Sequence, residues 1–451
     1  MFKAGFARVD ITPELGIGIA GYYSKRISNG VLDPLYATAV AFSDGEKVGL
    51  LVSVDIIGIT QGCCDIIRKE IAEAVGTSAE GVFIGCTHIH TGPQVFEFSE
   101  EADILHDSKE VIDGSSYATW LVKRLVDVCR MAADDMAEGK MYVTRAEVKD
   151  VAFIRRYRMK DGSVRTNPGW QNPDVLEKIG KEDETATLLI IKREGKKEIG
   201  IVNFQVHPDV IGGAKFSADY PKFVRDTYER NVPNSLCMYL NGPQGDTNHI
   251  DIRLHPEKDP CTWGYDRARY MGKKIAMSVL SNYELAREIR GDKVDFAQTL
   301  VDSRHNKGAE EDIPWALELA QRYREVGAND ALPHLTGMQR TQQVAKALRI
   351  ERLKDYPDSR PLRVSALRVG DVIFGGYPGE PFTEMGTRFK ETSDFAVTIA
   401  ACIVNGYEGY FPMQSAFDDG AYESFTTRFG RGTAENLVAA LIELGEKLYK
   451  A

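Results

Sequence analysis

Two kinds of segment alternate along this chain, and their order limits the folds open to it. Runs rich in β-branched residues, with the length of strands, occur at 48–57, 81–86, 141–148, 186–192, 199–206, 237–240, 293–301, 363–375 and 396–404. Stretches with helical apolar periodicity lie between them at 64–75, 117–137, 219–230, 263–285, 314–326, 339–353, 382–392 and 432–450. The alternation lacks the strict strand–helix–strand order of a doubly wound sheet. The pattern therefore predicts a mixed α/β (α+β) protein in which mixed β-sheets are flanked by helices. The segment 302–358 is highly charged and mostly helical, and reads either as a helical insertion or lid within the domain or as a solvated excursion.

Charge and apolar length exclude several partners. Lys and Arg total 56 against 66 Asp and Glu, a formal charge of −10, with no basic stripe to offset it. Nucleic acid and anionic membrane surfaces are poor partners for such a chain. The longest apolar stretches, 48–59 and 395–404, fall short of the ~20 residues a spanning helix needs, so no stable membrane insertion is expected. The first residues carry no apolar secretory core, which points to a cytoplasmic location. Seven cysteines, an odd number without a Cys-x-x-Cys pair, read as reduced and mostly buried thiols.

Polar side chains just past the carboxyl ends of apolar strands open onto a crevice in many α/β proteins. The run 81–86 leads into Thr87-His-Ile-His-Thr-Gly-Pro93, and in an extended segment His88 and His90 project to one face. Two imidazoles held this way are half of a divalent metal site, although a His-x-His pair occurs as often without one. The run 199–206 ends in His207-Pro208; that at 371–376 ends in Tyr377-Pro-Gly-Glu380; that at 396–404 ends before Tyr407 and Tyr410. Singly, each has an ordinary reading: a hydrogen-bonded histidine, a first-turn Glu at a helix start, packed tyrosines. Together they make a set of imidazole and carboxylate donors with room for a water.

With these residues in view, the chain resembles the catalytic domain of the neutral/alkaline, non-lysosomal ceramidase family. The resemblance rests on Gly5-Phe-Ala-Arg-Val-Asp-Ile-Thr-Pro13, Asp33-Pro-Leu-Tyr-Ala37, Ser53-Val-Asp55, the Thr87–Pro93 signature, His207, Gly245-Asp246, Pro378-Gly-Glu380 and Tyr407-x-x-Tyr410, all in family order. It implies one zinc ion held by His88, His207, Glu380 and Tyr410, with His90 beside the metal. Tyrosine is not a usual zinc donor, so Tyr410 rests on the resemblance alone. Arg155, or its neighbour Arg156, matches a family arginine near the reaction centre, and Tyr422 has the spacing of a further active-site tyrosine. His90, Arg155 and Tyr422 are thus the expected catalytic residues, and Asn248, Asp246 and Tyr407 are candidates for substrate binding.

The chain departs from the family where a Gly-Asp-Val-Ser-Pro-Asn stretch reads Gly245-Asp-Thr-Asn-His-Ile250, which puts Asn248 at the serine position. The reading also expects neither the β-sandwich that follows the catalytic domain in true ceramidases nor their secretion signal. Residues 1–451 are then one metallohydrolase domain, since the implied ligands are spread across the whole chain. The expected activity is zinc-dependent hydrolysis of a linear amide in a soluble N-acyl small molecule rather than ceramide. The alternatives are a zinc-dependent esterase or lactonase acting on a small polar substrate and a non-catalytic binding protein of the same fold. Asp55 and Asp246 form no recognisable two-metal phosphoesterase set. The sequence leaves the oligomeric state open.

Overall fold

Alternation of side chains along each strand decides what its two faces meet. The computed structural model describes residues 1–95, 108–259 and 261–451. Among these, nine strands form one sheet, in the order Ser235–Asn241, Glu198–Phe204, Thr185–Arg193, Ala137–Glu147, Lys3–Asp10, Tyr36–Ser43, Val48–Val54 and Val82–Cys86, with Arg287–Ile289 paired to Ala137–Glu147. Pairing along this order is antiparallel except at its two ends, where Glu198–Phe204 runs parallel to Ser235–Asn241 and Val48–Val54 parallel to Val82–Cys86. A second sheet holds Val294–Arg304, Ser359–Val369, Val372–Gly376 and Val397–Ala401, the last pair again parallel. Both sheets are mixed, as the alternation of segments predicts.

The two sheets pack face to face between helices. Val40 and Phe42 of one strand, and Leu189 and Ile191 of another, join a core with Val294, Leu367, Val369, Val372, Phe374, Val397 and Ile399 of the second sheet. The intervening residues point the other way. Ala37, Ala39 and Ala41 pack under helices Gln61–Val75 and Ser116–Asp134, and Ala186, Leu188 and Ile190 under Asp219–Asn231 and Gly264–Leu280. Helices Thr383–Thr392 and Thr433–Lys450 cover the outer face of the second sheet. The result is four layers, α/β/β/α. The strand Ala137–Glu147 begins at the last residue of the helical period 117–137 and four residues before the expected 141, because Gly139 and Lys140 pair with Arg193 and Lys192. The cysteines are free thiols, all buried except the partly buried Cys261.

The sheets are joined near the carboxyl ends of four strands. The Asn203 amide donates to the carbonyls of Leu240 (2.9 Å) and Ala400 (3.3 Å), one in each sheet. Cys402 N–H donates to Asn241, and Cys86 N–H to Ile403. Asn405, at φ 53°, accepts from Ile84 N–H and donates to the Ser365 hydroxyl. This seam brings the ends of Val82–Cys86, Glu198–Phe204, Val372–Gly376 and Val397–Ala401 to one place.

The charged segment is a pair of helices, Ile313–Ala331 and Gly337–Leu353, set between two strands of the second sheet that pair down to Arg304 opposite Ser359. The helices have a small core of their own, with Ala316, Leu319, Ala331, Ala347 and Ile350. The Tyr323 hydroxyl donates to the carbonyl of Tyr23. No helix among the described residues is long and apolar enough to cross a membrane.

Asp55, just past the end of Val48–Val54, is fully buried and accepts both Arg225 Nη atoms at 2.9 and 2.7 Å, the Thr87 hydroxyl at 3.2 Å and Tyr36 N–H at 3.0 Å. It ties helix Asp219–Asn231 to the segment that carries the histidines. Arg225→Ala leaves that carboxylate buried without its partner and is expected to lower stability by about 3–5 kcal/mol. Urea unfolding followed by far-UV circular dichroism measures the loss.

Candidate metal centre

The strand Val82–Cys86 stops before its histidines, and His88 takes a left-handed φ of 69°. The extended His-x-His geometry expected from the sequence is therefore a turn. Its backbone is held by His88 N–H on Ile56 O (3.0 Å) and His90 N–H on Pro208 O (3.2 Å). A non-glycine residue rarely occupies this region without surrounding contacts that enforce it. The turn still brings the rings together, with centroids 5.0 Å apart and planes at 89°. Gly21, at φ 99°, passes so close that a Cβ there would lie 2.5 Å from His90 Nδ1.

His88 Nδ1 lies 2.8 Å from the Ile57 carbonyl. A carbonyl only accepts, so the contact puts the proton on Nδ1 and leaves a lone pair on Nε2. That nitrogen is 3.3 Å from Glu380 Oε2, which is also 3.8 Å from His207 Nδ1. His88 Nε2, His207 Nδ1 and Glu380 Oε2 are buried and have no hydrogen-bond partner. Buried polar atoms without partners are rare and costly, and acceptors converging on one another are the arrangement that a cation resolves. His88, His90 and His207 also each offer a nitrogen within 4.8 Å of the others, a buried group that could hold a metal ion.

The electrostatics fit such donors. Burial opposes ionisation of Glu380, but His88, His207 and Arg155 outweigh it and hold the carboxyl well below the usual range. Burial, followed by the charges of His88 and Arg155, pushes His207 well down. Burial and His88 push His90 down to about 4. Both imidazoles are therefore neutral near pH 7, the form that binds a metal or accepts a proton. His90 Nε2 is 2.9 Å from His207 Nε2.

Glu380 lies on a short strand, Glu380–Pro381, whose partner Tyr410–Phe411 sets Tyr410 directly opposite it. The helix starts only at Thr383, so Glu380 is not its first-turn carboxylate. The Asp246 carboxylate serves that helix start, accepting Thr383 N–H (2.7 Å) and its hydroxyl (2.8 Å). The Tyr407 hydroxyl reaches Glu380 Oε1 at 3.3 Å. The Arg155 guanidinium lies 5.3 Å from the Tyr410 ring and 5.9 Å from the Tyr422 ring, while Nε donates to Glu423 (2.8 Å) and Nη2 to the Gly245 carbonyl (2.7 Å). Arg156 faces Phe382 and Asp419 instead, so of the two arginines it is Arg155 that stands with the tyrosines. Burial raises the Tyr410 and Tyr422 phenols well above their ordinary values. Asn248 is tied into its loop, donating to Asn167 Oδ1 (2.8 Å) and accepting Ile250 N–H (3.0 Å).

Several neighbours were not foreseen. The Tyr22 ring is 5.5 Å from His90, Glu423 is fully buried against Arg155 and Arg156, and Asp209 faces His249. Asp209 follows His207 by two positions, and Glu423 follows Tyr422, so proximity to a named residue was the only available signal. A cleft of about 670 Å³ lined by Arg156, Glu182, Asp246, Phe382 and Asp419 shares two loops with the centre but none of its histidines.

The four-layer fold is that of known ceramidase structures. Neutral ceramidase from Pseudomonas aeruginosa matches with a TM-score of 0.72 and 18% identity, over 100% of this chain and 74% of that one. A structure described as ceramidase complexed with C2 matches at 0.73 and 17%, over 100% and 75%. At these identities the likeness is one of fold. Residues 2–215 match the family model of the N-terminal part of neutral/alkaline non-lysosomal ceramidase. Residues 2–215 are thus similar in sequence to the amino-terminal part of the neutral/alkaline non-lysosomal ceramidases, and the whole chain shares the ceramidase fold, as the sequence resemblance implies. A search of curated proteins finds no match.

Removal of one of the converging donors, as in His88→Ala or Glu380→Ala, is expected to weaken the binding of an added divalent cation by more than the about 10–100-fold that losing a supporting contact costs. Tyr407→Phe, which removes only the hydroxyl on Glu380, is expected to fall within that range. Competitive titration against a chromogenic chelator measures all three.

Proposed function

We propose that this chain is a zinc-dependent hydrolase of linear amides, cleaving a soluble N-acyl small molecule rather than ceramide. The observation that carries the reading is the convergence of buried, unpartnered His88 Nε2, His207 Nδ1 and Glu380 Oε2. With Tyr410, set opposite Glu380, they are the proposed ligands of one zinc ion. His90 is assigned a place beside the metal because its Nε2 is already engaged with His207. A zinc ion so held supplies a Lewis acid that polarises a carbonyl and makes water more acidic.

The remaining roles fall to the protein. Amide hydrolysis adds water across the C–N bond, yielding a carboxylate and an amine that takes up a proton. His90, neutral near pH 7, accepts a proton from the attacking water and delivers it to the leaving nitrogen. Arg155, anchored by Glu423, and Tyr422 stabilise the negative charge that develops on the carbonyl oxygen. None of these roles requires a serine at position 248, where Asn248 makes loop contacts. Residues 1–451 act as one catalytic unit, because ligands at 88, 207, 380 and 410 need both sheets, with 302–358 as an inserted lid. The acidic balance and the charged insertion favour a polar substrate and a cytoplasmic setting.

His90→Ala is expected to retain about one zinc per chain while kcat falls by about 10²–10⁴-fold. Metal analysis beside turnover of a panel of N-acyl amines, esters and lactones tests the proposal. Hydrolysis confined to esters or lactones would overturn the amide assignment, and loss of zinc in His90→Ala would make His90 a ligand.

A further inference from the structure

The cleft of about 670 Å³ that shares two loops with the metal centre has the size of a small-molecule site, and none of the proposed metal ligands lines it. Buried Phe382, Met413 and Ala416 give it an apolar wall. Its charged side chains are mostly carboxylates. Of its basic groups, Lys390 is paired with Asp183 at 2.7 Å, and Lys181 is exposed to solvent. Arg156 lies between Glu423 (3.5 Å) and Asp419 (3.7 Å), with its guanidinium 5.4 Å from the Phe382 ring.

Acceptor oxygens remain after these pairings. Asp246, 5% exposed, takes both Thr383 bonds on Oδ1, and among the described residues Oδ2 has no hydrogen-bond or ion-pair partner. Oδ2 is directed at the cleft: it lies 3.8 Å from where a Cβ would stand on the exposed lining residue Gly180. Burial raises the Asp246 carboxyl against the two bonds from Thr383, so a cation beside it relieves a real cost. The carboxylates of Glu184 and Glu391, which also line the cleft, make no hydrogen bond or ion pair among the described residues.

These carboxylates do not converge. Among the described residues, the one group of three His, Cys, Asp or Glu side chains close enough to share a metal ion is His88, His90 and His207. A Mg²⁺ or Ca²⁺ ion needs oxygens gathered around it at about 2.0–2.6 Å. Separated anions beside an apolar wall instead complement a flexible chain with separated positive charges.

We propose that this cleft is a second binding site, for a linear polyamine. One ammonium group donates to Asp246 Oδ2, the methylenes lie against Phe382 and Met413, and the other ammonium groups meet Glu184 and Glu391. An ammonium group brings three donors to carboxylates that only accept. The inference does not rest on the hydrolase reading, since it uses none of the proposed zinc ligands. The site nevertheless adjoins the proposed reaction centre, because the Asp246 carbonyl accepts Arg155 N–H at 2.9 Å.

Isothermal titration calorimetry of the full chain with spermidine, butylamine and MgCl₂ at low ionic strength tests it. Spermidine is expected to bind about one per chain, at least about 10-fold more tightly than butylamine. Asp246→Asn, which keeps an acceptor for Thr383, and the double variant Glu184→Gln/Glu391→Gln are each expected to weaken spermidine by about 10-fold or more. Removing two exposed charges outside the cleft, in Glu70→Gln/Glu73→Gln, is expected to leave its affinity unchanged. If Asp246→Asn does not fold, the Glu184/Glu391 variant decides. Absence of saturable spermidine binding, an affinity no better than that of butylamine, or an equal loss in the Glu70/Glu73 variant overturns the proposal. Mg²⁺ binding that is tighter than spermidine binding and is lost in the cleft variants overturns it in favour of an inorganic cation.

Discussion

Burying a carboxylate is among the most expensive things a fold can do unless a cation or several donors meet it. Glu380 is 2% exposed, and one oxygen faces two imidazole nitrogens at 3.3 and 3.8 Å without a bonded proton between them. Much of the surrounding structure is organised by this group. The Tyr407 hydroxyl meets its other oxygen, Tyr410 is fixed opposite it by strand pairing, and Asp246 holds the turn that follows it. In this setting a metal ion would be a structural partner, because it would satisfy atoms that the polypeptide leaves unsatisfied.

The fold makes the convergence possible by fusing two sheets where strands from both end. The imidazoles follow strands of the large sheet, and Glu380 and Tyr410, paired in a short ladder of their own, follow strands of the second, so the centre is a property of the seam and not of either layer. Asn203 and Asn405 are central to it, since each hydrogen-bonds to strands of both sheets. The amino-terminal family match ends at 215, after the histidines but before the carboxylate. The family-model match and the completion of the centre therefore fall in different parts of the chain.

What could be read from the sequence followed physical scale. Mixed sheets, flanking helices and the inserted helices at 313–353 came from hydrophobic periodicity, which is a local signal. The four strand-end positions were legible because polar residues interrupt long apolar runs. Details set by tertiary contact were not. The left-handed His88 depends on hydrogen bonds to residues 56 and 57; the short pairing of Glu380 with Tyr410 spans thirty residues; and the strand at 137–140 exists because Arg193 and Lys192 lie beside it. Ion pairs such as Asp55–Arg225 join positions 170 residues apart and leave no local mark.

The inserted helices enter and leave through Arg304 and Ser359, which are paired neighbours in one sheet. For the scaffold, whatever lies between those two residues is only a loop whose ends already touch. Loop-closure entropy rises slowly with length, by roughly 0.6 kcal/mol per doubling, so the segment can be lengthened, shortened or exchanged with little penalty to the sheets. Its first helix, Ile313–Ala331, nevertheless touches the backbone of Tyr23, next to the Tyr22 whose ring lies 5.5 Å from that of His90. A change within the segment is thus one that the two sheets can tolerate and that is passed, through Tyr323 and Tyr23, to the residues beside the candidate metal centre.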